Sequence, residues 1–250
     1  MKRILIALAV LLAVQVADAQ TKSPEAAKKA VESAEAASKD AKKATKVATW
    51  MKLASAYMDA YNAPAGNVWL GASKQELQLI MGNDKPVATE AVVVGGDELI
   101  KETYSNKEFY FSPSGQLVLI NVTHPVVEDA LGRALEAYKK AYEVDVKQTK
   151  SKDIVTGLST IAQKYLDEGM NSYTFGELVK ASQLFEKAVE ASATAPLSKV
   201  DTTALYNAGY TAWAVKDYER AKNFFEQCLA ANYYYEGGEV YAKLGDIYMN

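Results

Sequence analysis

A pattern of small and aromatic residues occurs twice in the second half of the chain, with the same spacing each time. Gly209 is followed sixteen residues later by Phe225, and Gly169, 40 residues earlier, is followed at the same distance by Phe185. A glycine lets a second helix approach the first closely, and an aromatic ring on that second helix fills the wedge between them. The spacing therefore predicts consecutive pairs of packed α-helices.

The residues around these positions resemble the tetratricopeptide repeat, a 34-residue helix–turn–helix unit with small and aromatic residues at fixed places. The residues that carry the resemblance in the two units are Tyr165, Gly169, Ala181, Phe185, Ala188 and Leu205, Ala208, Gly209, Ala212, Ala221, Phe225, Cys228. A third first helix follows, with Tyr241, Leu244, Gly245 and Tyr248. The resemblance implies a mostly α fold, a tetratricopeptide-type helical solenoid over residues 162–250 whose last repeat is incomplete. In this reading Cys228 is a small buried hydrophobic residue rather than a reactive thiol.

The last helix has an apolar seam that no second helix covers before Asn250. Repeat arrays normally finish with a helix whose outer face is polar, because an uncovered seam exposes apolar surface to water. We therefore expect a longer protein with at least one more helix. The alternative is that this helix docks on Phe224 and Leu229 of the preceding repeat and ends there.

A further repeat is interrupted by an insert. Residues 47–61 fit a first helix, and the next fitting second helix is formed by residues 129–146. The residues that fit are Trp50, Leu53, Ala54 and Tyr57 in the first helix and Ala134, Tyr138 and Ala141 in the second. We expect these two helices to pack on each other despite the gap in sequence.

The inserted segment, residues 67–122, has a different character. Ser73 and Glu76 form a capping box that predicts a short helix ending at Gly82. After it, β-rich runs alternate with turn residues such as Gly95-Gly96-Asp97 and Ser112-Pro113-Ser114-Gly115. The segment is predicted to be a small α+β insert, one short helix on an antiparallel meander of three or four strands.

This insert resembles the SmpA/OmlA-type small lipoproteins of bacterial outer-membrane assembly over about fifty residues. The likeness is carried by Gly71, Ser73, Glu76, Leu77, Ile80 and Gly82 and by a hairpin that ends in Gly115 and Leu117. The lipid-bearing cysteine of that family is missing, so its membrane attachment does not carry over. The resemblance implies a small binding module of the cell envelope.

Residues 20–46 form a leader rich in Ala, Lys and Glu. Ser23-Pro24-Glu25 is a helix start, with a capping hydroxyl and a proline in the first turn. Alanines then recur at steps of three and four: Ala27, Ala30, Ala34, Ala37, Ala41, Ala44 and Ala48. They are either a seam that packs on a neighbour or simply helix-favouring residues of a solvated helix, and the second interpretation is the one we favour.

The first nineteen residues have the pattern of a signal peptide. Lys2-Arg3 precedes an apolar run from Ile4 to Val16, and Ala17-Asp18-Ala19 is a small-x-small cleavage site that leaves Gln20 first. The run is short for a bilayer, which takes about 20 residues, and an uncleaved anchor is the alternative. We expect an exported protein, periplasmic or otherwise extracytoplasmic, with no transmembrane segment after cleavage.

The net charge and the numbers of histidine and cysteine residues limit the functions that the chain can have. The formal charge of −3 becomes −4 once the two cations and one anion of the signal peptide are removed, and this mild acidity argues against nucleic acid as a partner. His124 and Cys228 are each the single residue of their kind and lie about a hundred residues apart, so neither a metal site nor a cofactor is predicted. The adjacent carboxylates Asp167-Glu168 and Glu128-Asp129 are interpreted as solvated faces. The sequence supports no catalytic residue, and we expect no enzyme.

A polar and aromatic stripe on the predicted first helices is the candidate binding site. It consists of Met170, Tyr173, Tyr206, Asn207, Tyr210 and Trp213. In tetratricopeptide repeats the first helices line a concave groove for partner peptides, and Asn207 stands where such repeats often hydrogen-bond a peptide backbone or terminus. Aromatic residues supply large contact area at low entropic cost. The alternative, equally weighted, is that the stripe packs against a neighbouring repeat.

Two functions follow from these observations. The first is an extracytoplasmic scaffold that binds a protein or peptide of the cell envelope in a concave helical groove, with the insert as a second surface. The second is a structural subunit of a cell-envelope complex that has no free groove. The identity of the partner, the role of the insert and the oligomeric state are not encoded in these patterns.

Overall fold

The structure, a computed structural model, describes residues 21–249, so the predicted signal peptide lies outside the described residues. This part of the chain is mostly helical and contains one small antiparallel sheet. The helices are α1 Pro24–Lys39, α2 Val47–Asn62, α3 Lys74–Met81, α4 Ala130–Val144, α5 Ser151–Thr174, α6 Leu178–Ala193, α7 Thr202–Ala214, α8 Tyr218–Ala230 and α9 Glu239–Met249. The strands are β1 Ala88–Val94, β2 Asp97–Thr103, β3 Lys107–Phe111 and β4 Leu117–Val122.

All the helices except α3 form one stack in which each packs on the next along the chain. Close packing at the crossings is made by glycines facing rings. A Cβ added at Gly169 would lie 2.6 Å from the Phe185 ring, and one added at Gly209 would lie 2.9 Å from the Phe225 ring. Both phenylalanines are fully buried, as the sequence pattern predicts. The two helix pairs α5–α6 and α7–α8 therefore share one packing device at the same spacing.

Helix α1 is part of this stack, and the expectation of a solvated leader helix is wrong. Ala27, Val31 and Ala34 are buried in the same apolar cluster as Leu53 and Tyr57 of α2. Small side chains at every third or fourth position let the two helix backbones come close together. The alanine spacing fits both interpretations, because alanine is also the best helix former.

Helix α5 begins at Ser151, before the predicted start of the repeats at residue 162. Its first turns carry Ile154, Leu158 and Ile161, all fully buried, and a Cβ at Gly157 would meet the Tyr138 ring of α4. Apolar residues at helical spacing thus extend the helix toward α4, because this face has a neighbour to pack against.

Helices α2 and α4 pack directly on each other although residues 63–129 separate them in sequence. Leu53 of α2 lies in one buried cluster with Ala134 and Tyr138 of α4. A cation–π contact, with the Arg133 guanidinium 5.9 Å from the Tyr57 ring centre, lies at the same interface. The insert therefore leaves and re-enters the stack between two helices that touch.

The insert contains α3 and a four-stranded meander with strand order β1-β2-β3-β4, within the three or four strands expected. The Ser73 hydroxyl accepts from the Glu76 amide while the Glu76 carboxylate accepts from the Ser73 amide, so the predicted capping box is present. One sheet face is covered by α3, with Leu77 packed in a cluster with Phe109, Phe111 and Leu117.

The opposite sheet face meets the helical stack. Leu99, Tyr110 and Leu119 form a small cluster on that face, and Phe175, the residue after α5, packs against it. The rings of Tyr110 and Phe175 lie edge to face with their centres 5.2 Å apart. The insert is therefore joined to the stack by side-chain packing as well as by the chain itself.

Helix α9 closes the described residues. Val240 and Leu244 are buried in the cluster that contains Phe224 and Leu229 of α8, whereas Tyr241 and Tyr248 are mostly exposed. Among residues 21–249, no helix combines the length and the apolar character that a membrane span requires.

Candidate functional site

The predicted stripe lies on helices α5 and α7, which are neighbours across one face of the stack. The amide nitrogen of Asn207 lies 3.9 Å from the sulfur of Met170, and the rings of Tyr173 and Tyr210 meet edge to face with centres 6.2 Å apart. Met170 is exposed, and the other three side chains are half-buried. We call these four residues the α5–α7 surface.

The remaining two stripe residues are covered by the segment that follows. Tyr206 is only 6% exposed, and the ring of Tyr235 lies flat on it with ring centres 3.9 Å apart and planes 10° apart. The Trp213 indole N–H donates to the Asp246 carboxylate at 2.5 Å, and the Lys243 ammonium lies 3.4 Å from the indole ring centre. Tyr206 and Trp213 are thus packed against neighbouring elements, as in the alternative given for the stripe.

Four residues at this site were missed by the sequence reasoning: Tyr235, Glu239, Lys243 and Asp246. A signal for Tyr235 exists, since it ends a run of three tyrosines between α8 and α9. The other three lie on α9 at steps of four and three, the spacing of one helix face. Because this spacing is visible in the sequence, the α9 face could have been recognised as a neighbour of the α7 stripe.

The surface carries neutral hydrogen-bonding groups on an aromatic floor. Burial, together with the hydrogen bond to Tyr173, raises the pKa of Tyr210 to about 12. Burial and the nearby Glu239 carboxylate raise the pKa of Tyr206 further. Both phenols are therefore protonated at neutral pH and act as hydrogen-bond donors or acceptors rather than as bases.

Charged side chains lie at one end of the α5–α7 surface. The Lys243 side chain is largely buried, and its ammonium lies over both Trp213 and Tyr210, 5.1 Å from the centre of the latter ring. Glu239 lies 3.8 Å from the same ammonium. Since this cation is already engaged by two rings and a carboxylate, the surface is suited to aromatic and amide contacts more than to ion pairing.

The residues that could have carried chemistry lie elsewhere. His124 is exposed after β4, with the Thr123 hydroxyl 3.1 Å from its Nδ1. Cys228 is fully buried in α8, and burial raises the pKa of its thiol to about 11. Within residues 21–249, no three His, Cys, Asp or Glu side chains come close enough together to hold a metal ion.

The carboxylate of Glu168 does not lie on a solvated face, so the interpretation of Asp167-Glu168 is wrong for this residue. Burial raises the pKa of Glu168, partly opposed by the Tyr61 hydroxyl of α2 and by three lysines. On an α-helix, adjacent residues point in different directions, and Glu168 points toward α2. This places an acid in a helix contact and not at the α5–α7 surface.

A separate cleft lies in the insert between α3 and the sheet. Its walls include Leu77, Met81, Tyr104 and Phe111. The Lys74 ammonium at this cleft pairs with Glu102 at 2.7 Å and lies 4.5 Å from the centre of the Phe111 ring. The positive charge is thus compensated within the insert.

Comparison of the chain with protein-family models, with curated proteins and with solved structures gives no match. The case for a function therefore depends on the packing and the surface described above.

Proposed function

We propose that this chain is an exported scaffold of the tetratricopeptide-repeat type that binds a protein or peptide of the cell envelope. The observation that carries the proposal is the repeated crossing in which Gly169 meets Phe185 and Gly209 meets Phe225, at an interval of 40 residues. Such a repeat stacks helix pairs side by side and lines up their first helices on one face. Export rests on the signal-peptide pattern of residues 1–19.

The partner binds along the α5–α7 surface. Tyr173 and Tyr210 supply broad, rigid contact area, and Met170 adapts its shape to the partner. The Asn207 amide can both donate to and accept from a peptide backbone. The half-buried state of Tyr173 and Tyr210 supports this role, because part of each ring is already ordered before the partner arrives.

The insert supplies a second contact surface in this proposal. Its short capped helix on a four-stranded meander fits the SmpA/OmlA-type resemblance. The contact of Tyr110 with Phe175 at the end of α5 supports a fixed position next to the repeats. We expect no catalytic activity from either part.

A second candidate function is a structural subunit of a cell-envelope complex. It is favoured by α9, where Tyr241, Tyr248 and Met249 are exposed. Exposed aromatic and apolar side chains in one short helix are typical of an interface. In that case the permanent partner covers α9 instead of lying along α5 and α7.

Site-specific photo-crosslinking distinguishes the two candidates. The photoreactive residue p-azidophenylalanine, similar in shape to tyrosine, replaces Tyr173 or Tyr210 on the α5–α7 surface and Tyr241 or Tyr248 on α9. Gln227, exposed on α8, is the control position. The proposal expects one partner crosslinked from Tyr173 and Tyr210 in the envelope fraction, and a reduced yield when Asn207→Ala is added.

Crosslinks from Tyr241 and Tyr248 alone would favour the structural subunit. Equal crosslinking from Gln227 and Tyr210 would contradict both specific surfaces. Export is checked separately, by N-terminal sequencing of the exported protein, which we expect to begin at Gln20.

A further inference from the structure

Tyr235 has a backbone conformation that is unusual for a large side chain. It lies between α8 and a 3₁₀ turn at Glu236–Gly238, with φ 54° and ψ 176°. Positive φ is rare for residues with a bulky side chain, and strained backbone of this kind is concentrated at ligand clamps and switch regions. The two glycines that follow, Gly237 and Gly238, also have positive φ but at no such cost.

This conformation places the Tyr235 ring over Tyr206, next to Tyr210 of the α5–α7 surface. The ring covers Tyr206 at a centre-to-centre distance of 3.9 Å, closer than the offset arrangement that aromatic pairs prefer. Tyr235 itself remains 40% exposed. One face of its ring therefore lies on Tyr206 while the side chain as a whole borders solvent.

The ring lies in a slot made of other tyrosines. Tyr210, a member of the α5–α7 surface, stacks beside Tyr206 with ring centres 6.1 Å apart. Tyr233 stands at a steep angle to Tyr206, with ring centres 6.5 Å apart, and forms a side of the slot. The slot thus holds one flat ring, that of Tyr235, and it adjoins Tyr210 of the surface proposed to bind the partner.

We infer that Tyr235 is a lid that occupies the position of an aromatic side chain of the partner. The ligand class is a protein or peptide segment that presents a tyrosine, phenylalanine or tryptophan ring. The inference deepens the proposed function and rests on it. Binding exchanges one ring for another on Tyr206, and release of Tyr235 from its positive φ favours the exchange.

The test removes the lid and offers a free ring. Tyr235→Gly deletes the side chain and suits the positive φ, and p-cresol serves as the probe, followed by saturation-transfer NMR. We expect Tyr235→Gly to bind p-cresol at least about tenfold more tightly than the parent protein does. Equal binding by the two proteins would overturn the inference.

The matched control is Tyr234→Ala. Tyr234 is 41% exposed, almost the same as Tyr235, but its ring stacks on Tyr241 and not on Tyr206. This variant should bind p-cresol as weakly as the parent, and a gain equal to that of Tyr235→Gly would show that the slot is not the site. Tyr235→Asn, which also tolerates positive φ, repeats the test if the glycine variant does not fold.

Crosslinking from Tyr210 keeps the two proposals separable. We expect Tyr235→Gly to raise the yield of the partner crosslink several-fold. A partner crosslink that is unchanged in Tyr235→Gly, with no p-cresol binding, would overturn the lid and leave the groove. Binding of p-cresol without any partner crosslink would support the slot and contradict the proposed function.

Discussion

Gly209 and Gly245 occupy equivalent places in α7 and α9, 36 residues apart, but meet different surroundings. A Cβ at Gly209 would lie 2.9 Å from the Phe225 ring and 3.3 Å from Phe224 Cβ. A Cβ at Gly245 would have no other atom of the described residues within 4 Å, leaving aside its chain neighbours and its own helix backbone. The same residue type is thus required by packing at one place and not at the other.

The substitution Gly209→Ala should lower the free energy of unfolding by up to about 2 kcal/mol, because overpacking costs roughly 1–3 kcal/mol and the better helix propensity of alanine offsets about 1 of this. Gly245→Ala is the matched control and should raise stability by up to about 1 kcal/mol, since only helix propensity changes. Urea denaturation measures both. Equal effects at the two positions would contradict the crossing of α7 and α8 at Gly209.

The Cys228 thiol should be unreactive in the folded protein. It is fully buried, and its pKa of about 11 leaves little thiolate, which is the reactive form. We expect labelling by a disulfide reagent at pH 8 to be roughly a hundredfold slower than in denaturant, because the thiol becomes accessible only when α8 opens. Similar rates in both conditions would place Cys228 at the surface.

At the residue scale the sequence predicts packing better than it predicts the site. Burial of Phe225 follows from its spacing to a glycine, a local rule. The cover over Tyr206 does not, because it depends on a ring carried by the loop between α8 and α9 and on the backbone conformation of Tyr235. Loops select among many conformations by contacts that spacing does not encode.

At the scale of elements, α1 is held by a narrow row of small side chains. Ala34 is almost fully buried against α2, while Ala36, two residues later, is exposed. Ala34→Arg should therefore detach α1, because the charge of an arginine at that place can stay in water only if the two helices separate.

We expect Ala34→Arg to lower stability by about 1–3 kcal/mol and to speed amide exchange across residues 24–39. Ala36→Arg carries the same change on the opposite side and should stay within about 0.5 kcal/mol. Hydrogen exchange with mass spectrometry measures the effect. Unchanged exchange in Ala34→Arg would restore the interpretation of α1 as a solvated helix.

The contact between α2 and α5 should depend on pH through Glu168. Its folded-state pKa is raised by burial, so the folded chain binds this proton more tightly than the unfolded chain does. The resulting loss of stability is absent below the ordinary glutamate pKa, sets in as the pH rises, and is complete above the folded pKa.

Glu168→Gln should consequently raise the melting temperature at pH 7 and leave it nearly unchanged at pH 4. Glu226→Gln, on the exposed side of α8, is the control and should leave the difference between the two pH values as it is in the parent. Thermal unfolding followed by circular dichroism measures it. A Glu168→Gln variant less stable at pH 7 than the parent would reverse the assigned sign.

The sequence predicts which helices and strands form. It predicts only in part which of them are in contact. The capping box at Ser73 and the turn residues between strands mark their elements directly, because each is a local conformational requirement. The start of α5 and the docking of α1 were misjudged, because both depend on whether another helix lies opposite. Such information is a property of pairs of elements and not of one segment.

At the scale of the whole molecule, the helical stack and its α+β insert follow from the sequence, while the joint between them does not. That joint is the contact of Tyr110 with Phe175, two aromatic residues 65 positions apart. Nothing in the spacing of either residue distinguishes it from an ordinary core or surface aromatic. The partner proposed for the α5–α7 surface is likewise outside the reach of these patterns, because binding depends on complementarity with a second molecule.

The placement of the insert between two touching helices has a consequence for the order of assembly. Helices α2 and α4 can meet only when residues 63–129 close into a loop. Closing an unstructured loop costs about 0.6 kcal/mol for each doubling of its length. A folded insert acts as a short connection, about four doublings shorter than the unstructured segment, and so lowers the cost of closure by roughly 2–3 kcal/mol. The insert should therefore form first and act as a tether that brings α4 to α2.

Phe109→Ala, which removes a fully buried ring from the insert at a cost of roughly 3–5 kcal/mol, should then slow refolding of the helical stack about tenfold or more. Stopped-flow fluorescence of Trp50 reports the α2–α4 contact when Trp69 and Trp213 are replaced by phenylalanine. The control is Leu79→Ala, on the exposed side of α3. If Phe109→Ala speeds unfolding and leaves the refolding rate alone, the helices assemble before the tether does.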